Sequence, residues 1–81
     1  GEMTDETRPR IQQFVTDYFV SNHVPPSIRE IADAVNRGMG TVVYHLDHLV
    51  AYGQLRRVQI GKRHTMHIPA NVKVIVEEVK G

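Results

Sequence analysis

Eighty-one residues with a formal net charge of +1 suffice for one small domain with a modest core. A hydrophobic content of 41% argues against a disordered chain, and no apolar run approaches the length of a membrane span or a signal peptide. The lack of cysteine excludes disulfides, thiolate metal sites and a cysteine nucleophile, and fits a reducing cytosol.

In chain order, Ile11, Phe14, Val15, Tyr18 and Phe19 recur at the i, i+3, i+4, i+7, i+8 spacing of an amphipathic helix. Thr7 is its expected N-cap and Pro9 suits the first turn. Pro25-Pro26 forces extended backbone, so this helix should end by Asn22 or His23. Ser27-Ile28-Arg29-Glu30 then reads as a capping box opening a second helix, with Ile28, Ile31, Ala32 and Val35 on one face and Asn36 as C-cap. Arg37-Gly38-Met39-Gly40 reads as a short turn whose glycines permit positive φ. A third helix is expected over roughly Met39 to Tyr52, turning Val42, Leu46, Leu49 and Val50 inward, with Gly53 as its stop.

Beyond Gly53 the period changes. Leu55 to Ile60 suits a strand, Gly61-Lys62 a hairpin turn, and His64 to Ile68 a returning strand closed by Pro69. The expected fold is α+β, mostly α: a three-helix winged helix-turn-helix with a C-terminal β-hairpin wing. A single domain is expected over 1–81, its core over 7–69. Residues 70–81 form a tail in which Val72, Val74 and Val76 alternate like a strand while Ile75, Val76 and Val79 are spaced like a helix.

Charge is unevenly placed. Seven of the nine acids lie at or before Asp47, and from His48 to Val76 there is none, whereas Arg56, Arg57, Lys62, Arg63 and Lys73 fall there. A local cationic stretch beside a helix-turn-helix is the footprint of a nucleic-acid binder. The major groove admits one helix, and a wing can lie along the backbone. On the third helix, Gly40, Thr41, Tyr44, Asp47 and His48 fall opposite the apolar face. Asp47 is awkward near phosphates and is better suited to holding an arginine in place.

Pro25-Pro26-Ser27-Ile28-Arg29-Glu30-Ile31-Ala32 resembles the Pro-Pro-Ser-x-x-Glu-Ile-Ala stretch that opens the second helix in the N-terminal DNA-binding domain of LexA-type repressors. Gly40-Thr41-Val42, His45-Leu46, Leu49 and Gly53 are similar to the family's recognition helix and closing glycine, and a basic wing follows. The resemblance runs from about Thr7 to Ile68 and implies a cytoplasmic, nucleoid-associated bacterial transcriptional regulator, most often a repressor, that binds double-stranded DNA and forms a homodimer. The chain departs from the pattern in a turn about one residue shorter and in Gly38, where the family often has a serine cap. Gly40, Thr41, Val43 and Tyr44 replace the residues that set operator choice. The family's C-terminal self-cleaving domain finds no room here, and the only serines are Ser21 and Ser27. An excised domain and a small stand-alone regulator both fit.

Met39, Gly40, Thr41, Tyr44 and His48 are thus the candidate DNA contacts of the recognition helix. Ser27, Arg29, Arg56, Arg57, Lys62, Arg63 and His64 are those of the second helix's N-terminus and the wing. No cofactor, metal or catalytic residue is expected. His45-x-x-His48 aligns two imidazoles on a helix, but His64-x-x-His67 sends its pair to opposite faces of a strand, so four ligands do not converge. His45 is expected to pack beside the core. The acids lack a companion base, nucleophile or phosphate loop, so an enzyme is not expected. The competing reading is a winged helix used as a protein-interaction module, with Met39, Val43 and Tyr44 as its apolar contact patch.

Overall fold

The computed structural model describes residues 6–60 and 64–71. Three helices, α1 (Thr7–Asn22), α2 (Ile28–Val35) and α3 (Met39–Ala51), precede two strands, β1 (Leu55–Ile60) and β2 (His64–Pro69). The strands pair antiparallel, with Leu55 opposite Pro69 and Ile60 opposite His64. This is the expected mostly helical winged helix with its β-hairpin. The hairpin turn at Gly61-Lys62 and the tail beyond Asn71 lie outside the described residues.

The core collects one apolar stripe from each helix. Ile11 and Val15 from α1, Ile31, Ala32 and Val35 from α2, and Val42, Leu46 and Leu49 from α3 are buried together with Leu55 at the root of β1. Phe14, Ile28 and Val50 pack against this cluster from its margin. Truncating a buried leucine or isoleucine of this kind to alanine costs about 2–5 kcal/mol, a large fraction of what a small domain has. Tyr18 and Phe19, the last members of the α1 stripe, are half-buried. The Tyr18 ring lies 5.6 Å from that of Phe14, and its hydroxyl leaves the core to donate to Glu30 at 3.0 Å.

Two helix ends share one device. Asn36 adopts the left-handed conformation at φ 57°, its N–H donates to the Asp33 carbonyl at 3.3 Å, and the next N–H, of Arg37, reaches back to Ala32 at 3.1 Å. Gly53, at φ 80°, repeats the pattern, its own N–H bonding Val50 and that of Gln54 bonding Leu49. Both are Schellman closures, which satisfy orphan carbonyls through one left-handed residue. The positive φ of the α2–α3 turn therefore falls on Asn36, not on the glycines expected to supply it. Gly38 is extended at φ −70° as the N-cap of α3, and Gly40 is helical. Asparagine tolerates the left-handed region well enough to do glycine's work.

The start of α1 also differs from expectation. Glu6, without a side-chain bond, is the N-cap, and Thr7 is the first helical residue. Thr7 is buried, so its side chain packs into the interior instead of closing the helix end. At the far end His23 adopts the left-handed conformation at φ 63°, just ahead of the proline pair.

Candidate nucleic-acid interface

Ser27 and Glu30 form the expected capping box. The Glu30 N–H donates to the Ser27 hydroxyl at 3.0 Å, and the Ser27 N–H donates to the Glu30 carboxylate at 2.8 Å. The Ser27 N–H first, and the Tyr18 hydroxyl second, hold the Glu30 carboxyl below the usual carboxylate range. The same carboxylate raises the Tyr18 phenol above its ordinary value. Ser27 is half-buried and engaged in this cap, while Arg29 is exposed on the first turn of α2.

Val42, His45, Leu46 and Leu49 anchor α3 inward, which leaves the front of the helix in solvent. Met39 is 49% exposed and Tyr44 57%; Gly40 and Thr41 are also exposed, and His48 is half-buried. The recognition-helix candidates thus lie on the solvent side of one helix. Tyr44 is ordered by its neighbours. Its ring meets that of His48 edge-on at 4.5 Å and that of His45 at 5.3 Å, and His48 lies 5.9 Å from Tyr52. A side chain already restrained loses less entropy when a partner arrives.

His45 packs beside the core as expected, but with a partner that local spacing does not reveal. Its Nδ1 accepts from the Arg8 Nε at 3.0 Å, across 37 residues of sequence. That bond ties the first turn of α1 to the middle of α3. Among the described residues no group of three or more His, Cys, Asp or Glu is placed to hold a metal ion.

The wing meets α3 through charge. Asp47 accepts from an Arg57 Nη at 2.6 Å, with both side chains about half exposed. Arg56, the preceding residue of β1, is exposed and projects from the other face of the strand. His67 stands opposite Arg57 in the register. It is buried, and its Nε2 lacks a hydrogen-bond partner. Burial first, and the Arg57 guanidinium second, push its imidazole below the ordinary histidine range, against the pull of Asp47. His64 opens β2 opposite Ile60. Lys62 and Arg63 lie outside the described residues.

Sequence reasoning overlooked two residues. Arg37 is exposed just ahead of α3, where its guanidinium touches only the neighbouring Asn36 carbonyl at 3.1 Å among its described bonds. Tyr52 is 65% exposed at the far end of α3. Its i+4 spacing from His48 was the available signal.

The fold and this surface define a winged helix with a solvent-facing third helix beside a cationic strand. Over 49 residues, 59% of its length, the chain is 47% identical to the LexA repressor of Corynebacterium jeikeium (strain K411). It covers 18% of that protein. No family model matches the chain.

Proposed function

We propose that this chain is a non-catalytic, sequence-specific DNA-binding domain acting in transcriptional repression. α3 lies in the major groove and the β1–β2 wing lies along the phosphate backbone. The observation that carries this reading is the joint between α3 and β1. Tyr44 and Thr41 are exposed on a helix whose Asp47 holds the cationic strand alongside through Arg57. Such a pairing sets the base-reading surface and the charge that meets phosphate at a fixed distance from one another. The likeness to a LexA repressor supports the same reading. Operators read by helix-turn-helix modules are commonly paired half-sites, so a homodimer on duplex DNA is part of the proposal, with the apolar stretch Val72–Val79 of the sequence as the candidate contact. No cofactor is invoked.

The protein-interaction reading draws on the exposure of Met39, Val43 and Tyr44. Binding to mixed-sequence duplex DNA at rising salt separates the two. A charge-driven wing releases counterions, so log affinity should fall linearly with log salt. Selection from a random duplex pool should then enrich one sequence class. Failure to bind duplex at low salt would overturn the proposal.

A further inference from the structure

α3 reads Met-Gly-Thr-Val-Val-Tyr-His-Leu-Asp-His-Leu-Val-Ala and contains no Arg, Lys, Asn or Gln. These are the side chains that grip guanine or adenine with two hydrogen bonds in the major groove. What the helix exposes instead includes two apolar side chains one turn apart, Met39 at 49% and Val43 at 39%. Residues at i and i+4 share a flank, so these two form a short apolar edge along the front of α3. Of the other polar groups nearby, the Asp47 carboxylate is committed to Arg57 and His48 lies between the Tyr44 and Tyr52 rings, while Thr41 and Tyr44 are exposed beside the apolar pair.

Among the base-pair edges of the major groove, one group is apolar: the C5 methyl of thymine. We infer that α3 recognises its DNA chiefly through thymine methyl groups, with Met39 and Val43 as the contacting side chains. The inference rests on the proposed placement of α3 in the major groove. It makes thymine, rather than guanine, the base that fixes the register of the helix. An apolar edge fits this occupant because the adjoining wing carries Arg56 beside the Asp47-paired Arg57, and cationic charge matches a phosphate-lined groove.

The test uses the 81-residue chain and a duplex obtained by selection from a random pool. Each thymine is replaced in turn by deoxyuridine, which removes the methyl and leaves every hydrogen-bonding group in place. One or two positions should weaken binding about fourfold each, the factor expected for one buried methyl-sized group. In Val43→Ala the penalty at one of these positions should vanish while the other persists, and Met39→Ala should do the reverse. Both residues are surface-exposed, so neither truncation threatens the fold. A flat deoxyuridine scan on a duplex that still outcompetes mixed sequence would overturn the methyl inference and leave the major-groove reading standing. Losses carried instead by 7-deazaguanine substitutions would overturn it too, and would assign readout to a guanine contact by Arg37. Absence of any salt-dependent duplex binding would overturn both.

Discussion

Asp47 on α3 and Arg57 on β1 are joined by a 2.6 Å bond between carboxylate and guanidinium, so the helix proposed to enter the groove also positions the wing beside it. Both side chains are about half exposed. Solvent and salt screen such a pair, and its worth to stability is at most about 1 kcal/mol. Its larger effect is electrostatic. Asp47 puts a negative charge on the surface proposed to meet phosphate and neutralises one of the cations there. Asp47→Asn should therefore leave the melting temperature nearly unchanged, raise affinity for mixed-sequence duplex, and steepen the salt dependence by about one unit. Discrimination between sequences should fall as the wing loses its tether. Weaker binding to all duplexes alike would mean that Asp47 acts by holding the fold.

Arg56 projects from the face of β1 opposite Arg57 and is exposed, while Lys62 falls in the hairpin turn expected from sequence. Replacing either with alanine should weaken binding to every sequence equally and flatten the salt slope by about one unit each. Competition between selected and mixed duplex, measured at several salt concentrations, checks this. A changed operator preference with an unchanged slope would show that the wing reads bases.

The capping box separates two contributions that a single substitution would blur. Ser27→Ala removes the acceptor for the Glu30 N–H and should cost about 1 kcal/mol. It leaves the backbone bond from Ser27 to the Glu30 carboxylate intact. That bond, followed by the one from Tyr18, lowers the Glu30 pKa. A lowered folded-state pKa contributes stability above the unfolded value, near 4.5, and loses it as pH falls through the folded value. Wild type and Ser27→Ala should thus share an acid-side decline that Glu30→Gln lacks. Melting curves at pH 7 and pH 3 decide the matter, and unchanged stability of Ser27→Ala with lost DNA affinity would move Ser27 from the cap to the interface.

Local chemistry made much of this fold legible in the sequence. The capping box, the proline stop after α1, Gly53 and the apolar stripes each act within a few residues, so their spacing reports their role. The expectation that Asp47 holds an arginine was readable because an acid among residues expected to face a groove needs a local cation. The Arg8–His45 bond was not readable, since its partners meet only after α1 packs on α3. Thr7 misled for the same reason: a hydroxyl residue at a helix start resembles a cap until packing buries it. The turn misled because glycine drew the expectation of positive φ away from Asn36, which supplies it.

His67 supplies a second, independent pH response. Its imidazole is buried with Nε2 unpartnered, and burial ahead of Arg57 lowers its pKa. A histidine whose folded pKa is lowered is held neutral in the fold, while the unfolded chain takes up a proton more readily. Stability from this site is therefore full above the ordinary value of 6.5 and declines as pH drops from there toward the folded pKa. His67→Leu removes both the titration and the unpartnered ring nitrogen. It should raise stability by about 1 kcal/mol at neutral pH and by more at pH 5. Equal pH dependence in wild type and His67→Leu would place the acid sensitivity elsewhere.

Gly40 offers the sharpest separation of stability from function. It occupies the second position of α3, on the exposed side between Met39 and Thr41, and its φ is not positive. A Cβ built on it meets nothing within 4 Å. The free protein thus gives glycine no work to do there. Within a helix glycine is less favourable than alanine, by up to about 1 kcal/mol, because it surrenders more backbone entropy on folding. On the proposed placement of α3 in the groove, the demand on Gly40 is close approach of the backbone to DNA. On this reading Gly40 lets the front of α3 seat against the base edges or the adjoining phosphates. Gly40→Ala should raise the melting temperature by a few degrees and weaken binding to the selected duplex, with affinity for mixed-sequence duplex at low salt largely retained. Gly40→Ser, which adds a polar group in the same space, should also lose affinity, because the obstruction is steric. A Gly40→Ala protein that is more stable and binds its selected duplex as tightly as wild type would remove Gly40 from the interface and argue against α3 lying deep in the groove.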